Sequence, residues 1–190
     1  GNIYIAASPK MGRFNGFLSA DINRNNHYFD HNDDGFNDRP NQMRVALFGK
    51  GILESPIGEQ RLNVAVKYLN EDRMGGVLDF SDALRGSNTV YGESIYTRRA
   101  ELLAEYRPAG LSERLRINTA FTYHSQDSFY GSTAYDATQN IAFGQATWAQ
   151  PLTEDVRLLL GSTLRYETYD DNTPATLNGA DLRFTPGVFT

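Results

Sequence analysis

Strict two-residue alternation, broken by recurring proline turns, is the feature that most restricts what this chain can fold into. Three segments share one hinge chemistry: Ser55-Pro56-Ile57-Gly58-Glu59, Arg107-Pro108-Ala109-Gly110-Leu111-Ser112-Glu113 and Gln150-Pro151-Leu152-Thr153-Glu154-Asp155. Proline sets φ for a turn and cannot donate to a central ladder, so each one closes a strand and opens a tight connection. Between the hinges the faces separate cleanly. Leu62, Val64, Val66 and Tyr68 oppose Asn63, Ala65 and Lys67, while Ala100, Leu102, Ala104 and Tyr106 oppose Arg99, Glu101 and Glu105. Leu115, Ile117, Thr119, Phe121 and Tyr123 repeat the scheme against Arg116, Asn118, Thr122 and His124, and Val156, Leu158, Leu160, Leu164 and Tyr166 do so against Arg157, Thr163, Arg165 and Glu167. This is period two, the mark of half-exposed strands. Leu103 and Leu159 break it, and around Ile141 and Phe143 either phase fits, because Ala142, Gly144, Ala146 and Trp148 make an equally good apolar face.

The alternation predicts strands near 2–8, 14–24, 41–53, 61–70, 95–107, 114–124, 140–150, 156–169 and 182–190. Short connections fall near Pro9, Pro56, Pro108 and Pro151, and long loops occupy 25–40, 71–94, 125–139 and 170–181. Short turns on one side and long loops on the other are the pattern of an up-and-down barrel in a bacterial outer membrane. The aromatic residues agree: Tyr68, Tyr123 and Tyr166 precede long loops on the apolar face, and Tyr106 and Trp148 precede short turns on it. Rings at both ends of an apolar band suit the two headgroup interfaces. The fold class predicted is therefore all-β, an antiparallel up-and-down transmembrane barrel wall of about nine strands, with residues 1–190 forming one unit.

Composition closes off other classes. A net charge of −5 on 190 residues provides no broad basic surface for nucleic acid. With no cysteine, disulfides, thiolate zinc sites and cysteine nucleophiles are excluded. No run of about 18 apolar residues exists to span a membrane as a helix, and a negative mean hydropathy does not count against a barrel, whose strands need only alternate apolar residues. The chain begins at Gly1 with no signal peptide or initiator Met, so processing or truncation is expected. Pro186 in the last predicted strand, and an end at Thr190 with no membrane-facing aromatic, point to an interrupted strand of something longer.

The densest chemistry is Asp30-His31-Asn32-Asp33-Asp34-Gly35-Phe36-Asn37-Asp38. Oxygen donors at alternate positions followed by Gly match the first part of an EF-hand-like loop, with Asp30, Asn32, Asp34 and Asp38 and the Phe36 carbonyl as ligands for calcium. The twelfth position is Asn41 rather than Glu, so the loop is not a complete EF-hand. The competing reading is a solvated turn, since Asp, Asn and Gly are what turns are made of. Two further segments, Asn70 to Gly76 and His124 to Gly131, combine charge, glycine and aromatic residues, and place Glu71, Arg73, Asp127, Phe129 and Tyr130 as ligand-facing loop residues. Against this, Arg73 and Asp127 equally suit structural pairs across a polar lumen. His27, His31 and His124 have no zinc spacing, and neither G-x-S-x-G nor a phosphate-binding glycine loop occurs, so no enzyme is expected.

These residues also resemble a family. Phe14 to Asn23 leading into Asp30-x-Asn32-x-Asp34-Gly35-Phe36-x-Asp38-x-Pro40, then Glu71-x-Arg73-Met74-Gly75-Gly76, Asp127-Ser128-Phe129-Tyr130-Gly131 and Thr185-Pro186-Gly187-Val188-Phe189, is similar in order and spacing to segments of TonB-dependent outer-membrane transporters, particularly Bacteroidetes receptors for cobalamin and siderophores. The resemblance covers nearly the whole chain through short motifs. It implies a barrel of about 22 strands around an N-terminal plug, importing a scarce ligand with energy delivered by TonB through that plug. No plug or TonB box is found in these 190 residues, so only part of the wall would be present. Acidic calcium loops near this region occur in cobalamin importers, which the resemblance extends to Asp30, Asn32, Asp34 and Asp38. Partners implied are outer-membrane lipid, the rest of the barrel and plug, and a surface lipoprotein. Two alternatives stand beside this reading: a complete eight-stranded outer-membrane barrel acting as adhesin or structural protein, and a soluble calcium-stabilised β-sandwich binding sugar or protein.

Overall fold

The computed structural model describes residues 1–54 and 61–190, which leaves the Ser55-Pro56-Ile57-Gly58-Glu59 hinge outside the described residues. The chain is all-β, a single antiparallel up-and-down sheet of ten strands, and the two edge strands do not pair with each other, so the sheet is open. The strands are β1 (Asn2–Ala7), β2 (Lys10–Met11), β3 (Phe14–Asn25), β4 (Asn41–Glu54), β5 (Arg61–Gly76), β6 (Gly92–Arg107), β7 (Leu115–Tyr130), β8 (Thr133–Pro151), β9 (Arg157–Asp171) and β10 (Asp181–Phe189). Apart from the β1–β2 pair, each strand bonds to the next in sequence. β1 and β2 both pair with β3 in one continuous register, from Ala7↔Leu18 to Lys10↔Asn15. They are one wall strand interrupted at Ser8-Pro9, so nine wall positions result. The short connection expected at Pro9 lies instead at Gly12-Arg13, between Met11 and its partner Phe14. Proline breaks the ladder there without reversing the chain.

Register settles the faces. The row Val64, Ala104, Thr119, Gly144 and Leu164 runs straight across five strands and continues to Pro186 in one direction and Gly51 in the other. This assigns Ala142, Gly144, Ala146 and Trp148 to the apolar face and Ile141 and Phe143 to the polar one, resolving the phase left open by the sequence. Pro186 lies on β10, an edge strand, which is where a sheet accommodates proline. Phe14, Leu53, Leu62, Tyr106 and Ile117 share one cross-strand row, and Leu47, Tyr68, Ala100 and Tyr123 share another. Tyr106 and Ala100 are six residues apart on β6, a separation of about 20 Å along the strand at ~3.4 Å per residue.

Nothing covers that apolar face among the described residues. Among the described residues, the only buried hydrophobic side chains are Phe80 and Ala137, while Leu18, Leu47, Val66, Leu102, Phe121, Leu164 and Phe184 are all exposed. A soluble sandwich would bury such a face against a second sheet. This is one sheet.

The opposite face carries the charge, held in cross-strand and same-strand pairs: Lys67 to Glu101 at 3.9 Å, Arg99 to Glu101 at 2.5 Å and Arg165 to Glu167 at 2.8 Å. Strands overrun the predicted limits at the loop end. β5 extends to Gly76 and β6 starts at Gly92, so Glu71 and Arg73 sit on a strand and only 77–91 remains as loop. The expected loop 125–139 is a hairpin: β7 and β8 pair to Tyr130↔Thr133, leaving the two-residue turn Gly131-Ser132. Gly131 has φ +61°, the left-handed value that the first central residue of a type II′ turn requires and glycine adopts without strain. Asp127, Phe129 and Tyr130 are consequently strand residues too. Polar residues at period two extend a ladder as well as apolar ones once the strand projects beyond an apolar band, because the backbone hydrogen bonds do not depend on the side chains.

Candidate functional site

The loop end of the sheet brings several of the sequence-predicted residues together and separates others. On the polar face, Arg73 lies in register with Ile95, and Glu93 with Tyr130. The segment 26–40 folds over this corner and adds one antiparallel bridge, Phe36↔Val77, with Asn37 N donating to Gly76 O at 2.8 Å and Leu78 N to Gly35 O at 2.9 Å. Phe36, Asn37, Pro40, Arg73, Gly75, Tyr91 and Glu93 line a cavity of about 320 Å³. Phe36 and Tyr91 form a tilted ring pair with centroids 6.4 Å apart, and the Tyr91 hydroxyl donates to Glu93 at 2.7 Å, which holds its ionisation above the ordinary range. Glu71 accepts from Gln42 Nε2 at 2.7 Å, with Arg44 and Arg73 each 4.0 Å away. Of the sequence-predicted residues Arg73 lines this charged, aromatic-edged mouth, with Glu71 beside it through the contact to Arg73 and Tyr130 through its register with Glu93. Tyr91 and Glu93, which complete it, were not singled out by the sequence.

Asp127 and Phe129 are on the other side of the sheet. Expected in a loop, they are strand residues at even offsets from Tyr123 and so share its side of the sheet, where both are engaged by a residue of the 77–91 segment. Arg85, in the 77–91 segment, forks onto Asp127 at 2.5 Å and 3.3 Å, donates to Ser94 Oγ at 2.7 Å and lies over the rings of Tyr96 and Phe129 at 4.1 Å and 5.0 Å. Its hydrogen bonds hold the Asp127 carboxyl below the usual carboxylate range. Burial, with the hydrogen bond to Asp82, pushes the Tyr96 phenol up to about 12. Asp127 is thereby tied to the 77–91 segment. The cue for the hairpin that carries it was Gly131-Ser132 between two alternating runs, a standard two-residue hairpin signal.

The acidic segment is held by its own carboxylates. Asp30 accepts from Asp34 N at 3.2 Å and Gly35 N at 2.8 Å, Asp34 accepts from Phe36 N and from Asn32 Nδ2 at 2.9 Å each, and Asp38 accepts from His31 N at 2.8 Å. Gly35 turns the chain at φ +80°, as the spacing required. Calcium would need those same oxygens turned toward one point at about 2.3–2.6 Å. Among the described residues, no three acidic or imidazole side chains converge in that way. The folded segment is thus a turn capped by its own carboxylates.

At the same end of the polar face, Tyr135 and Tyr169 share a hydroxyl hydrogen bond of 2.7 Å, and Tyr169 donates to Asp171 at 3.0 Å. Asp171 also accepts from the backbone and hydroxyl of Thr173 and from the Thr176 hydroxyl, and hydrogen bonds from Thr173 and Thr176 hold its carboxyl down to about 2. This network anchors the 172–180 connection.

Fold and mouth together define a class: an antiparallel β-wall with one uncovered apolar face, one ion-paired polar face, and a cavity where its longer connections gather. Beyond that class, no family model, no curated protein and no solved structure matches the chain.

Proposed function

We propose that this chain is a wall segment of a TonB-dependent outer-membrane importer for a scarce ligand such as cobalamin or a siderophore. The uncovered apolar face carries the reading, because a continuous stripe of exposed Leu, Val, Ile and Phe across nine wall positions needs a lipid-like environment. The apolar face then meets outer-membrane lipid, and the polar face turns to the lumen and plug, through which TonB acts. The open edges favour a segment of a larger wall over a closed eight-stranded adhesin. Ligand contacts fall to Arg73, Phe36, Tyr91 and Glu93, which line the 320 Å³ cavity, and to Glu71 and Tyr130 beside them. Transport is conformational, with no covalent step from these residues. A surface lipoprotein would meet the 26–40 and 77–91 segments. Calcium would be held in the acidic segment by Asp30, Asn32, Asp34 and Asp38 with the Phe36 carbonyl.

The deciding experiment is extraction from outer membranes, with mass and gel mobility read with and without boiling in detergent. A mass far above 21.3 kDa with a heat-shifted band supports the importer. A protein of this mass that shifts on boiling would instead be a small barrel, and one soluble without detergent would end both membrane readings.

A further inference from the structure

At the turn end of the polar face, far from the mouth, lies a depression of about 770 Å³ lined by Arg61, Arg107, Arg114, Arg116 and Arg157. We propose that this is a docking cradle for an acidic, extended polypeptide segment. The inference rests on the wall reading for its setting, a polar face turned toward an enclosed lumen.

Among the described residues the charge is only partly compensated. One carboxylate, Glu105, serves both Arg107 at 3.1 Å and Arg116 at 3.7 Å, and Arg61 is spent on the neutral Asn63 at 3.2 Å. Among the described residues, Arg61, Arg114 and Arg157 have no carboxylate within ion-pair distance, and Glu113 is the one acid in the lining. This concentration of cations stands in a chain whose net charge is −5. All five are Arg and none is Lys, the choice that suits bidentate carboxylate recognition.

Geometry selects the shape of the partner. The guanidinium groups are set on β5, β6, β7 and β9 and on the turn before β7, spread over four strand spacings, about 19 Å. A single phosphate cannot bridge that span, whereas an extended segment of about six residues covers it. The floor between the charges is apolar. Leu159, the residue that broke the alternation of β9, is 46% exposed there beside Ala149, with Thr147 next along β8. A floor of methyl groups under a rim of guanidiniums matches a peptide, which offers carboxylates and carbon side chains together, better than it matches a phosphorylated glycan.

The test places a benzophenone side chain at Thr147 in the full-length protein, irradiates cells, and sequences the adduct by mass spectrometry. The expected adduct is a peptide in which Asp and Glu outnumber Lys and Arg, with its yield falling about tenfold when Arg114→Glu and Arg157→Glu are combined, and returning with Arg114→Lys and Arg157→Lys. Adducts with lipid or glycan, with a neutral or basic peptide, or none at all overturn the cradle, as does a yield indifferent to charge reversal. Heat-shifted mobility of the same variants reports separately on the barrel, so loss of the wall reading and loss of the cradle are distinguishable.

Discussion

Arg85 and Asp127, forty-two positions apart, meet at 2.5 Å on the face of the sheet that continues the apolar one. Through this contact the 77–91 segment is pinned across the β6–β7 extension. Arg85→Ala is expected to raise hydrogen exchange across 77–91 by an amount corresponding to about 1–2 kcal/mol, combining a half-exposed ion pair with two ring contacts. Arg85→Lys should recover less than half, because an ammonium cannot fork onto Asp127 while lying flat on Tyr96.

Asp127 also faces Asp136 directly across the β7–β8 hairpin. The hydrogen bonds from Arg85 depress Asp127, so its contribution is present above the unfolded carboxylate range and is lost as pH falls through the depressed folded value. Burial and the neighbouring Asp127 raise Asp136, so its contribution runs the other way, present below that range and lost as pH rises through its folded value. Asp136→Asn should slow amide exchange in the hairpin about two- to fivefold at pH 7, the scale of directly opposed strand charges. At pH near 3 the variant and the native protein should exchange alike.

The two faces of β9 offer a contrast between neighbours. Leu164→Arg on the apolar face is expected to cost about 2–4 kcal/mol in folding into lipid bilayers, and Thr163→Arg on the polar face close to nothing. Equal costs in bilayer refolding titrations would show that the apolar face does not meet lipid.

In the acidic segment, the carboxylates of Asp30 and Asp34 stand in for absent turn partners. Protection of residues 25–40 from protease should be the same with calcium and with chelator. Asp30→Ala combined with Asp34→Ala should speed cleavage about tenfold in both. Protection that disappears with chelator would return these oxygens to calcium.

The hairpin turn at Gly131 tests the register. Gly131→Ala forces a side chain into φ +61° and is expected to cost about 1 kcal/mol, with Gly131→Asn costing less, read as a shift in the temperature at which the folded band is lost on gels.

The run from Leu62 to Tyr68 carried its own assignment, and so did the strands holding Ala100, Phe121 and Leu164. Side chains on an extended chain alternate whatever lies beside them, so strand identity and one apolar face were legible residue by residue. The same parity contained the placement of Asp127 and Phe129 opposite Tyr130. What no local pattern could carry was register. The phase of β8 followed only once Thr119 met Gly144 and Gly144 met Leu164. The partner of Arg85, the overlap of Phe36 with Tyr91, and the gathering of five arginines from strands as distant as β5 and β9 arise from the same source. They depend on which backbones pair and how far each ladder slides, a choice made between segments tens of residues apart, where the sequence near any one residue holds no record of its neighbour.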